Sequence, residues 1–144
     1  MASHEYSADD IQIVDAIDSV RARPAMYFKG GVYDPIEIAT WIAGEALMLG
    51  AQSVRIEFKE GWFLIIADHD WLAGRESQAF TTLAHIPEVG QNSRYGEILA
   101  VAFCRNVATS TPHGIRSIKG EDIGPLASFA ASQERIVAFD AAPE

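Results

Sequence analysis

The stretch Ser53–Ala67, SVRIEFKEGWFLIIA, decides the fold. Ser53–Lys59 alternates apolar and polar residues, the period of a half-buried strand. Glu60-Gly61 is a turn. Trp62–Ala67 is an unbroken apolar run, short enough for a strand buried on both faces. The pair predicts a β-hairpin. Immediately upstream, Asp34-Pro35-Ile36-Glu37 opens a helix. Asp34 is placed to cap it, Pro35 suits its first position, and Glu37 stands where a capping box places a carboxylate. That helix runs to about Leu49, with Gly50 as its natural stop. The hairpin is therefore expected to pack on preceding helices.

Working outward, Ile11, Val14, Ile17 and Val20 fall three apart and draw an apolar stripe on a helix over about Ala8–Ala22. Pro24 ends it, and Met26-Tyr27-Phe28 reads as a short extended run. Downstream, Glu76–Ala84 reads as a helix, Glu88–Arg94 as a loop and Gly96–Asn106 as a buried helix. Strands are expected at Val107–Thr111, Ile115–Lys119, Pro125–Ala131 and Arg135–Asp140. The fold class is thus α+β: a two-layer α/β sandwich with helices on one face of a mixed, mostly antiparallel sheet. The 144 residues fit one domain, 1–144.

Composition narrows the function classes. Apolar residues make up 49%, enough for one core, and 11 basic against 20 acidic residues give a charge of −9. That balance argues against direct nucleic-acid binding, which needs a basic footprint, and against an anionic membrane surface. The single Cys104 excludes an internal disulfide framework and a Cys-based zinc site. No apolar run is long enough to span a bilayer. The N-terminus is acidic where a signal peptide is basic and then apolar, so a cytoplasmic location is expected.

The segment Ser19-Val-Arg-Ala-Arg-Pro-Ala-Met-Tyr27 resembles the V-R-x-R-P-x-M-Y signature of the ATPase domain of the DNA gyrase B subunit and topoisomerase IV. Tyr6–Ile11 is similar to the arm that precedes it in that family. Glu45-Ala46-Leu47 followed by Val54–Phe58 is similar to the D-E-A-L helix end and next strand. Thr82–His85 and Asn92–Tyr95 are similar to the T-V-L-H and N-S-Y landmarks before the ATP lid, and Gly96–Ala108 to the helix that follows. Order and spacing hold over residues 6 to about 110, with some shortening. The resemblance implies the Bergerat (GHKL) fold, with nucleotide held between a helical layer and the sheet. It also implies that residues 1–12 form a dimer-exchanging arm, with Tyr6 and Ile11 as its contact residues.

Under this resemblance Glu37 takes the place of the general base, or serves only as a helix cap. Trp41 then stands where an Asn holds magnesium, and an indole offers no oxygen to a hard cation. Asp68 takes the place of the adenine-binding Asp, or simply ends a strand and starts a turn. Two motif glycines after it are replaced by Asp70 and Leu72, and glycine there lets backbone approach a ligand. Of the glycine-rich lid only Gly96 remains. Trp41 and Trp71 are expected to fill the old pocket. His69 between Asp68 and Asp70 reads as a turn residue, Cys104 as a small buried hydrophobe, and Arg21 and Arg23 as either partner contacts or solvated charges. No metal ligand set is read in the sequence, no cofactor is expected, and ATP with magnesium is disfavoured.

The resulting expectation is a non-catalytic, gyrase-B-like protein-binding or regulatory module. It would act as a homodimer or as a decoy, inhibitor or immunity-type partner, without the further domains a topoisomerase needs. Two alternatives stay open: a nucleotide-binding ATPase or switch of this fold with rearranged ligands, and a small-molecule binding domain with a Trp-lined pocket.

Overall fold

The structure is a computed structural model and describes residues 16–129 and 133–143. The predicted hairpin is β1 (Val54–Lys59) and β2 (Trp62–Ala67), paired antiparallel from Val54↔Ala67 to Lys59↔Trp62. Glu60 and Gly61 both have positive φ, 56° and 83°, the backbone that a two-residue hairpin turn requires. Three further strands follow: β3 (Val107–Thr111), β4 (Gly114–Lys119) and β5 (Arg135–Asp140). The sheet order is β1-β2-β5-β3-β4. Every pairing among these strands is antiparallel, so the expected mixed sheet is corrected to an antiparallel one.

Helices cover one face. The described part of α1 is residues 16–21, and the rest of the predicted Ala8–Ala22 helix lies outside the described residues, as do Tyr6 and Ile11 of the predicted arm. A short α2 (Pro24–Tyr27) replaces the expected extended run at Met26–Phe28. Pro24 there opens a turn, and Phe28 N–H closes it on the Pro24 carbonyl. The long α3 is Pro35–Met48, with Asp34 Oδ1 accepting from Ile36 N at 2.9 Å and Gly50 past its end at φ 115°. Two shorter helices complete the layer, α4 (Glu76–Thr81) and α5 (Glu97–Phe103).

The opposite face is also covered. Even-numbered β2 residues Trp62, Leu64 and Ile66 join Ile136, Ala138 and Ala108 in one cluster, closed by Leu126. Odd-numbered Ile65 and Ala67 face the helices with Val137 and Phe139. Both sides of β2 are therefore dry, which is why its sequence does not alternate. The lid on the second face is a 3-10 helix, Gly124–Ser128, where a strand over Pro125–Ala131 was expected. Among the described residues no helix is long and apolar enough to cross a membrane.

Candidate functional site

Each residue of the expected nucleotide site has a definite partner. Glu37, on the first turn of α3, accepts from Lys29 N through Oε1 at 3.1 Å, so its carboxylate braces the turn before the helix. One turn later Trp41 donates from Nε1 to the Arg94 carbonyl at 3.0 Å. Its ring lies against Gly96. A Cβ on Gly96 would stand 3.2 Å from Trp41 Cγ and Cδ1 and 2.9 Å from Ile42 Cγ1. The start of α5 thus seats directly on α3, at a separation only glycine permits. Asp68, just past β2, is exposed, and its Oδ1 accepts from Gln52 N and Ser53 N at 3.0 and 3.2 Å. Trp41 and Gly96 meet, whereas the partners of Glu37 and Asp68 are backbone amides of neighbouring turns.

Trp71 sits deeper, 1% exposed. Its Nε1–H is shared between Glu45 Oε2 at 3.0 Å and Glu97 Oε2 at 3.1 Å. Glu45 Oε1 accepts from Gly96 N at 2.8 Å, and Glu97 Oε1 has no hydrogen-bond partner. Neither carboxyl is exposed to solvent. Burial raises the Glu45 pKa first and the neighbouring Glu97 second, to about 11. Burial likewise raises that of Glu97. Two adjacent carboxyls with one donor between them cannot both be charged, so the pair holds a proton at neutral pH. The sequence marks Glu45 only within the helix-end resemblance and does not pair it with Glu97. The signal at Glu45 was a charge on an apolar stripe, since Ile38, Ile42 and Glu45 share one face of α3.

A second polar cluster centres on Arg135, 3% exposed at the start of β5. It forks onto Asp70 through Nε at 2.8 Å and Nη2 at 3.1 Å, and its Nη1 reaches Glu76 at 3.0 Å and Thr109 Oγ1 at 3.0 Å. Arg116 on β4 pairs with the other oxygen of Glu76. Two open grooves, about 320 and 360 Å³, flank this cluster and share Glu76 and Arg116. Its two cations and two carboxylates balance. Among the described residues no group of three or more His, Cys, Asp or Glu could hold a metal ion. Cys104 is fully buried, and burial pushes its thiol up to about 12, so it is not poised as a nucleophile. Arg21 Nε donates to the Ala102 carbonyl at 2.8 Å, and Arg23 bonds Ser19.

Compared with known proteins, the chain matches no protein-family profile, no curated protein and no solved structure.

Proposed function

We propose that this chain is a non-catalytic, protein-binding module of the gyrase-B-like ATPase fold, working in the cytoplasm, with its nucleotide site closed by its own side chains. One observation carries the reading: Trp41 stands at the position the resemblance gives to the magnesium-holding Asn, and its ring is packed on Gly96. A triphosphate with its cation needs that space and needs oxygen ligands there. The Glu37 carboxylate is engaged with Lys29 N, and one Asp68 oxygen with Gln52 and Ser53. The charge of −9 adds a further penalty for a polyphosphate. The same packing speaks against a rearranged ATPase and against a small-molecule pocket lined by Trp41 and Trp71.

Calorimetry with ATP and ADP, each with magnesium, tests this reading. The expected result is no saturable heat at millimolar nucleotide and no phosphate release. Stoichiometric binding would overturn it.

A further inference from the structure

The sheet has two outer strands, β1 and β4, and they differ in one respect that bears on partners. The main-chain parity of β1 is fixed. Ser53 O accepts from Asp68 N, and the two-residue turn pairs Lys59 with Trp62. Residues 53, 55, 57 and 59 therefore direct their N–H and C=O groups at β2. Val54, Ile56 and Phe58 direct theirs outward, along an edge unpaired among the described residues. The strand has no Pro and no register shift, two of the features that blunt an edge, and its charges, Arg55, Glu57 and Lys59, are of both signs. Ile56 is 44% exposed and Phe58 61%.

We propose that this edge pairs with the β1 edge of a second copy of the chain, antiparallel and centred on Ile56. The inference rests on the reading of the chain as a binding module and names its partner. Self-complementary charge selects the register. With Ile56 opposite Ile56 of the second copy, each Arg55 faces a Glu57, and each Val54 faces a Phe58. Shifting the centre to Arg55 stacks Arg on Arg. Shifting it to Glu57 stacks Glu on Glu and Arg55 on Lys59. Within one chain Arg55 and Glu57 are only loosely paired, at 3.8 Å, with side chains 55% and 40% exposed. Across the dimer they occupy the closely spaced, non-hydrogen-bonded positions, where opposite charges gain most. The outward amides of Val54, Ile56 and Phe58 supply the ladder, and the exposed Ile56 and Phe58 side chains line up on the helical face.

The other edge does not offer this. β4 carries Arg116 and Lys119 and no carboxylate, so its own charges are not self-complementary, and Arg116 is already paired with Glu76. Its ladder with β3 also slips at Val107/Ala108.

Sedimentation of the full chain tests the proposal. Wild type should dimerise reversibly. Arg55→Glu, at an exposed position, and Glu57→Arg, at a half-buried one, should each weaken the dimer by about tenfold or more with unchanged circular dichroism. Mixing the two variants should restore a dimer, because Glu then faces Arg at both contacts, and the double variant should dimerise alone. Ile56→Cys should form a disulfide-linked dimer on mild oxidation, since directly opposed residues of such a pair lie within bridging distance. A wild type that stays monomeric at millimolar concentration, or variants that dimerise like wild type, would overturn the interface. Either result would leave the closed nucleotide site standing, and nucleotide binding would leave the charge-swap result standing.

Discussion

Glu45 and Glu97, both fully buried, share one indole N–H, and that arrangement sets how this protein responds to pH. Both carboxyls bind a proton more tightly folded than unfolded, so the folded state holds more protons. Their stabilising contribution is complete below the ordinary carboxylate range. It is lost as pH rises from there through about 11, the folded value for Glu45. Glu97→Gln keeps an acceptor for Trp71 and can donate to Glu45 without needing a proton from solvent. It is expected to raise stability by on the order of 1–3 kcal/mol at pH 8.5 and to have little effect at pH 5. Urea melts at the two pH values check this, and a variant no more stable than wild type at pH 8.5 would contradict it. Gly96→Ala belongs to the same scale. Its Cβ would press on Ile42 and the Trp41 ring, so a loss of about 1–3 kcal/mol is expected by thermal melting.

At the scale of elements, the boundaries set by local chemistry were legible. Asp34, Pro35 and Gly50 bounded α3, and Glu60-Gly61 located the hairpin turn, because capping and positive φ depend on neighbouring residues alone. Two segments were misread from sequence, one through a local ambiguity and one through a contact from far along the chain. Pro24 can end a helix or start a turn. Gly124–Ser128 became a 3-10 lid because Leu126 and the Trp62 side of the sheet close on each other. In the candidate site, Trp41, Trp71 and Asp68 could be singled out by departure from or match to a motif. Arg135 and Asp70 could not be paired, since β5 and the turn after β2 meet only through the sheet order. That fork ties β5 to the turn after β2 and to α4. Arg135→Leu is expected to cost about 2–3 kcal/mol, less than for a fully buried pair because Asp70 and Glu76 keep some water. Denaturant melts of Arg135→Leu beside wild type measure it.

Across the described residues, one antiparallel sheet is covered on both faces by two cores. The space beside Gly96 is taken by Trp41 and Ile42, and Trp71 is buried against Glu45 and Glu97. What stays open is at the margins: the β1 edge, with its alternating charge, and the grooves beside Arg116. Under the proposed reading, Trp41 and Trp71 flank the position where a nucleotide would enter, and binding there would disturb both. Trp41 and Trp71 therefore serve as reporters of nucleotide entry. Tryptophan emission during titration with ATP and magnesium is therefore the most direct measurement. A closed site gives no saturable change in intensity or wavelength up to millimolar nucleotide. A saturable shift that Trp41→Phe abolishes would contradict it.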